Sequence, residues 1–399
     1  MKPDTLFPLL LSHLSSLSSS LKILLAMSGG IDSGVCAHLL KRQGHEVIGV
    51  RLHLWMDPLA PPMAQLMPSK CCTTQSINRA SNIAKSLGIP LHTVDVASEF
   101  KKKIVDQFLK DYAAGLTPNP CVLCNRTIKH ATLIKLMKKY RCDKVATGHY
   151  ARIKCKTDRS GKSICQLLEA RDTTKDQSYY LYSLSQEQLA STIFPLGDLL
   201  KSEVYKLAKK FKIPLSDAYR ESQDLCFFPE QGPSAFLKRH LKKAKAGEIV
   251  KRDSSVVGKH SGIPFYTIGQ RHGLGIGGLK IPLQVVAKDT KRNRLIVAER
   301  GQETCKKIML TDLHFIAGTP PKDGKYTCRT RSLSAKKKGT FTINICHGER
   351  SRTMTCNDAT FTFAHPEPLQ SPGQSLVLYK GNEIIGGGTI DEICSILEQ

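Results

Sequence analysis

The chain has 399 residues, too many for one ordinary domain, so two or three domains are expected. Lysine and arginine outnumber aspartate and glutamate by 59 to 34, a formal charge of +25, which favours a polyanionic partner held through counterion release. The 14 cysteines are scattered through a chain too large to need disulfide staples, no secretory signal opens it, and no apolar run is long enough to span a membrane. A cytoplasmic, reducing setting with a few functional thiols is the expectation.

Residues 1–20 read as an N-terminal extension, an apolar run Leu6–Leu11 followed by serine-rich sequence to Ser20. The apolar run Ile23-Leu24-Leu25-Ala26-Met27 then leads into Ser28-Gly29-Gly30-Ile31-Asp32-Ser33. Val35, Cys36, Leu39 and Leu40 follow at helical spacing, stopping at Gly44. Strand, tight loop and helix make a phosphate site, because glycines let the backbone turn and the helix start offers unsatisfied N–H donors. Ser28 and Ser33 add hydroxyls, and Asp32 is placed to hold magnesium beside phosphates. No Walker A pattern occurs.

Val47–Leu52 and Leu91–Val96 read as further strands, and Asp143–Thr147 as a fourth. Between them, helices are predicted from Cys71 to Leu87, from an N-cap at Ser98 to Gly115, and over Ile128, Leu133, Ile134 and Met137. Met56–Ser69 reads as a loop. Alternating strands and helices imply a parallel sheet with ligands beyond its carboxyl ends, where the Ser28 loop and the Gly148-His149 turn both fall. From residue 221 the texture becomes glycine-rich with short strand-like runs at Glu248–Lys251, Thr267–Gly269, Gln284–Val286 and Leu295–Ala298. Gly273, Gly275, Gly277 and Gly278 lack the strand–loop–helix setting of a dinucleotide fingerprint. From about 305, Phe341, Ile343 and Ile345, then Phe361 and Phe363, then Leu376 and Leu378 alternate with period two. Gly381-Asn382 and Gly386-Gly387-Gly388 are expected as turns of a small antiparallel barrel or sandwich.

Two cysteines stand apart. Cys124 lies in Pro118-Asn119-Pro120-Cys121-Val122-Leu123-Cys124, near a helix start whose dipole favours thiolate. Its spacing from Cys121 also fits a redox pair or two metal ligands. Cys226, in Glu221-Ser222-Gln223-Asp224-Leu225-Cys226-Phe227-Phe228, closes the α/β part. The other cysteines, Cys71, Cys72, Cys328, Cys346, Cys356 and Cys394 among them, are assigned to packing or surface. No Cys/His set has four-ligand zinc spacing. Lys175-Asp176-Gln177-Ser178-Tyr179-Tyr180 is a polar turn ahead of a helix.

The loop Ser28–Ser33 resembles the pyrophosphate loop of N-type ATP pyrophosphatases. Taken with Thr117–Asn125, Ala146–Tyr150, Lys175–Tyr180, Ser222–Phe228, Thr267–Gly278, Pro372–Gln374 and Gly386–Ile390, the chain resembles the tRNA-specific 2-thiouridylases, in family order from residue 22 to the end. The resemblance implies an ATP-pyrophosphatase domain over 21–220, a small mixed central tRNA-binding domain over 221–300 and a C-terminal antiparallel β-barrel over 301–399. It implies ATP binding by Ala26, Met27, Ser28, Gly29, Gly30, Ile31, Asp32, Ser33, Leu52 and Gly148. It makes Cys124 the nucleophile and Cys226 the carrier of a persulfide from a sulfur-donor protein, the two ending as a disulfide. Asn119, Pro120 and Cys121 would touch the target base; His149, Lys175, Asp176, Gln177, Arg331, Ser332 and Gln374 would contact tRNA. Position 121 is Cys where many members have Asp, and Ser332 stands where an aromatic is often found. Three other readings are open: a [4Fe–4S] cluster on Cys121, Cys124 and Cys226, an RNA-binding protein with an inactive nucleotide fold, and a small-molecule amide synthetase.

Overall fold

The computed structural model describes residues 20–61, 73–157, 163–213, 225–230, 232–277, 281–299, 301, 303–344 and 358–397. The N-terminal extension before Ser20, Cys71, Cys72, the stretch Glu221–Asp224, Gly278, Ile345, Cys346 and Cys356 lie outside the described residues, as does the side chain of Cys394. The chain forms two compact units, residues 1–100 with 124–229 and residues 101–123 with 230–399.

The first unit is built on a five-stranded parallel sheet. Its strands are β1 (Lys22–Ala26), β2 (Glu46–His53), β3 (Leu91–Asp95) and β4 (Lys144–Ala146), with a hairpin of β5 (Arg152–Thr157) and β6 (Ser163–Leu168) preceding β7 (Thr192–Ile193). The order β3-β2-β1-β4-β7 puts the phosphate-loop strand in the middle. Ile23, Leu24 and Leu25 are fully buried, as a central parallel strand covered on both faces requires. One face packs on the helix Ile31–Arg42 through Val35, Cys36, Leu39 and Leu40, and the other on Leu133, Ile134 and Leu136 of the helix Ala131–Lys139. The expected Ser98 cap is displaced. The helix already starts at Ala97, and the Asp95 carboxylate accepts from Ala97 N–H (2.8 Å). Asp binds a free helix-end amide at least as well as Ser.

Cys155 and Cys165, assigned above to packing or surface, form a disulfide. They face each other directly across β5 and β6, and Gln186 hydrogen-bonds both backbone groups of Cys165 (2.8 Å each), so these do not point at the partner strand. A directly opposed pair of that kind brings side chains closest together.

The second unit holds a four-stranded sheet and a barrel. The sheet comprises β8 (Gly247–Val250), β9 (Val256–His260), β10 (Leu283–Asp289) and β11 (Arg294–Glu299), in order β10-β11-β8-β9 with β11 and β8 parallel. Thr267–Gly269, expected as strand-like, is a turn in which Gln270 N–H donates to Thr267 O (2.9 Å). The barrel runs β12 (Glu303–Phe315), β13 (Gly324–Arg329), β14 (Lys337–Asn344), β15 (Asp358–Pro368), β16 (Ser375–Lys380) and β17 (Glu383–Leu397). All its neighbours are antiparallel, and β12 pairing with β17 closes it. Phe341, Phe361, Leu376 and Leu378 fill the interior. Gly381-Asn382 is the turn expected. Gly386, Gly387 and Gly388 are not turns but lie within β17, because a Cβ at Gly386 would stand 2.2 Å from His314 O and one at Gly387 2.2 Å from Leu376 O. The barrel closes there by backbone approach that only glycine allows. No helix among the described residues is long and apolar enough to cross a membrane.

Candidate functional site

The carboxyl ends of β1, β2 and β4 open into one cleft of about 240 Å³. Ala26, Met27, Ser28, Asp32 and Ser33 line it from the first loop, Val50, Arg51, Leu52 and Leu54 from β2 and its continuation, and Thr147, Gly148 and His149 after β4. Lys129, Leu133 and Gln177 complete the wall. Of the ten residues expected to bind nucleotide, seven line the cleft. Gly29 and Gly30 shape the loop instead, and Ile31 is core, 1 % exposed.

The loop geometry follows from its glycines. Gly29 has φ +78°, and a Cβ there would sit 2.0 Å from Ser76 O. Arg79 Nε donates to Gly29 O (2.8 Å) and fixes the turn. Gly30 is the N-cap of the helix Ile31–Arg42, and no side chain caps that end. Ser33 Oγ donates to Gly30 O (3.1 Å) and lies 3.3 Å from Ser28 Oγ. Uncapped amides, two hydroxyls and the positive end of a 12-residue helix thus converge on the cleft. Gly148 completes the floor: a Cβ there would stand 3.2 Å from Ser33 N.

Asp32 is engaged in a way its motif does not announce. Lys201 Nζ contacts both carboxylate oxygens (2.7 and 2.9 Å), and Tyr150 Oη donates to Oδ1 (2.8 Å). Lys201 is 8 % exposed and also lies 5.3 Å from the Tyr150 ring centroid, while Asp32 is 33 % exposed. Gln177 grips the Tyr150 backbone from both sides, accepting at Oε1 (3.0 Å) and donating from N–H (2.8 Å). The residues do not fit a magnesium ion held by Asp32. Among the described residues that carboxylate is the only one lining the cleft, it is already neutralised by Lys201, and no three His, Cys, Asp or Glu side chains are grouped to hold a metal.

Lys201 went unnoticed in the sequence, although it carried a signal. It opens the helix Lys201–Lys210, where the dipole disfavours a cation unless an anion faces it. Arg51 and Lys129 were also missed, belonging to no recognisable motif, and so was Thr147, which lies in the Ala146–Tyr150 stretch but was given no role.

His149 lines the cleft beside Thr147 Oγ1 (2.7 Å) and stacks near His130, with ring centroids 6.0 Å apart. Burial and the neighbouring Lys129 hold both imidazoles below the ordinary range, His130 at about 3. Between about 3 and 6.5 the unfolded chain therefore binds the additional proton at position 130. Stability present above 6.5 is lost as pH falls through that window, at a limiting slope of about 1.4 kcal/mol per pH unit. Urea melts at pH 7 and pH 5 should show this fall, and His130→Leu should lessen it, with His149 keeping a share of the same sign.

Cys124 is 4 % exposed and ends the helix Pro120–Cys124, which passes through a π turn, Asn125–His130, into Ala131–Lys139. Pro120 is the first helical residue, so the free first-turn amides lie ahead of Cys124 and the dipole argument does not reach this thiol. Asn125 Nδ2 donates to Tyr180 O (3.0 Å), tying this helix to the Lys175–Tyr180 turn. Cys226 is half-buried. The next residue, Phe227, is anchored by Asp57 N–H on its carbonyl (3.1 Å) and by the Phe100 ring (centroids 5.9 Å apart), on the loop that continues β2. The two cysteines are not joined as a disulfide, and neither lines the cleft.

The residues expected to contact tRNA divide. Lys175 and Gln177 flank Asp176, which is 2 % exposed and organises the turn by accepting from Ala170 N (2.9 Å) and Ser178 Oγ (2.8 Å). In the second unit, Arg331 is exposed and Ser332 half-buried in the turn between β13 and β14. Asn119, Pro120 and Cys121 follow the loop at Thr117, whose carbonyl accepts from Gln374 Nε2 (2.8 Å).

Three family profiles match the chain in succession: a tRNA methyl transferase HUP domain over residues 21–230, a tRNA methyl transferase PRC-barrel domain over 234–299 and an aminomethyltransferase beta-barrel domain over 305–390. The chain is 37% identical over 372 residues to the tRNA-specific 2-thiouridylase of Geobacter metallireducens, covering 93% of this chain and 96% of that one. It is 37% identical to that of Moorella thermoacetica (94% and 100% covered) and 38% identical to that of Listeria monocytogenes (95% and 97% covered).

Proposed function

The chain belongs to the tRNA-specific 2-thiouridylase family, and from that premise we propose that it replaces the C2 oxygen of the wobble uridine of tRNA by sulfur, using ATP. The observation that carries the nucleotide half is the uncapped amino end of the helix Ile31–Arg42 opening into the cleft beside Ser28, Ser33 and Gly148. The family profiles carry a methyltransferase description, but a polyphosphate site and two separated cysteines support thiolation rather than methyl transfer.

Uridine O2 attacks the α-phosphorus of ATP and pyrophosphate leaves, its charge met by loop amides and hydroxyls. The terminal sulfur of a Cys226 persulfide, supplied by a donor protein, attacks C2 and AMP departs. Cys124 then attacks the Cys226 sulfur, freeing the thiolated base and leaving a Cys124–Cys226 disulfide, which an external dithiol reduces. Asn119, Pro120 and Cys121 would receive the base after it leaves the anticodon stack. His149, Lys175, Gln177, Arg331 and Ser332 would hold the RNA around it.

The decisive assay is pyrophosphate release with and without tRNA, read beside 2-thiouridine formation. Release that requires tRNA and matches thiolation is expected. Release without tRNA would indicate a small-molecule synthetase, and none at all an RNA-binding protein with an inactive fold. Iron analysis of the active enzyme separates the persulfide route from a cluster.

A further inference from the structure

The segment that leads to Asn119 is held at four places, all within the second unit. Lys288 Nζ donates to Gly115 O (2.8 Å) just past the helix Asp106–Ala113. Pro372 O accepts from Thr117 N–H (2.8 Å). Gln374 Nε2 donates to Thr117 O (2.8 Å) and Pro118 O (3.4 Å). Gly373, at φ +91°, presses so closely that a Cβ would meet Thr117 N and C at 3.0 Å. The grip is anchored in turn, because Gly373 N–H donates to Ile390 O (2.8 Å) and Ile390 N–H to Gln374 O (2.7 Å) on β17.

We propose that Gln374, Gly373 and Lys288 are positioning residues for the base-receiving loop, and that Gln374 acts through Thr117 and Pro118 rather than by touching RNA. The proposal rests on the thiolation reading. The amide of Gln374 is already directed at two carbonyls, and those carbonyls belong to the two residues before Asn119. Lys288 is equally committed. Burial lowers it to about 8, which no phosphate-facing surface lysine would show, and its ammonium meets the carbonyl end of a helix where partners are lacking. Two prolines, Pro118 and Pro120, stiffen the span between grip and helix, so a shift at Thr117 passes on to Asn119 and Cys121. Displacements of about 1 Å in reacting groups cost on the order of a hundredfold in rate.

The test uses the full chain with Gln374→Ala, Gly373→Ala and Lys288→Met, each checked for an unchanged circular dichroism spectrum. Two quantities are measured: the Kd for unmodified tRNA with its salt dependence, and the single-turnover rate of AMP formation at saturating tRNA. Gly373→Ala is the key variant, since it removes no group able to contact RNA and shifts the grip on Thr117 both by its methyl and by the strain of a left-handed alanine. We expect each variant to bind tRNA within about twofold of wild type with the same salt slope, while the rate falls at least about tenfold. A Kd raised tenfold by Gln374→Ala, with full rate at saturation and no effect of Gly373→Ala, would make Gln374 a direct RNA contact and overturn the proposal. Unchanged rate and Kd in all three would overturn it too. A wild-type enzyme that forms no 2-thiouridine refutes the thiolation reading instead, which keeps the two failures apart.

Discussion

Cys226→Ser is expected to abolish 2-thiouridine formation, by about a thousandfold or more, while leaving tRNA-dependent pyrophosphate release in a single turnover within about threefold of wild type. Activation of O2 needs only ATP and the uridine; sulfur enters afterwards. Cys124→Ser should fail at a different point. With sulfur preloaded on Cys226, attack on C2 still expels AMP, but nothing then breaks the bond between the Cys226 sulfur and the sulfur on the base. The variant should therefore trap tRNA on the protein through a disulfide that dithiothreitol releases. Denaturing electrophoresis with labelled tRNA, with and without reductant, reads this directly. Cys124 is buried in a helix and Cys226 is half-buried beside Phe227, whose carbonyl accepts from Asp57 N–H, and neither cysteine lines the nucleotide cleft. A Cys124→Ser enzyme with full turnover, or one that traps no tRNA, would remove Cys124 from the sulfur path.

The parts of the fold legible in the sequence are those whose periodicity reports burial directly. Ile23–Met27 followed by two glycines and the spacing Val35, Cys36, Leu39, Leu40 can satisfy its apolar residues only as strand, loop and helix, and it does. The alternation at Phe341, Phe361 and Leu376 likewise reports one buried sheet face, as a barrel or a sandwich would have, and the pairing of β12 with β17 makes it a barrel interior. What escaped depends on partners distant in sequence. Gly386–Gly388 look like a turn because glycine allows turns; only the carbonyls of His314 and Leu376 show that the need is for close strands. Cys155 and Cys165 are ten residues apart in sequence, and their pairing follows from hairpin register, which spacing alone does not set. Asp32 was recognisable as a functional residue from its motif, but its counter-ion lies 169 residues away. The contact of the Gln374 amide with the Thr117 and Pro118 carbonyls spans more than 250 residues, and no sequence pattern announces it.

Lys201→Met should lower kcat/KM for ATP about a hundredfold, and adding Asp32→Asn should restore at least tenfold of that loss. In the wild type the Asp32 carboxylate stands in the phosphate-facing wall with its charge cancelled by Lys201 at 2.7 Å and its orientation held by Tyr150 Oη at 2.8 Å. Removing only the ammonium exposes that negative charge to the phosphates. At about 5 Å and an effective dielectric near 20, one such repulsion amounts to about 3 kcal/mol, or roughly two decades in kcat/KM. Asparagine keeps the size of Asp32 and a carbonyl for Tyr150, so the double variant loses both charges of a pair whose sum was zero. Were Asp32 instead the ligand of a catalytic divalent cation, Asp32→Asn would be inactive alone, and the double variant would be no better than either single one. Tyr150→Phe adds a graded control, because it frees one carboxylate oxygen without altering charge and should cost only several-fold. Pyrophosphate release over a range of ATP concentrations, at saturating tRNA, distinguishes these patterns. Recovery in the double variant identifies Lys201 as the group that makes an aspartate tolerable against a polyphosphate.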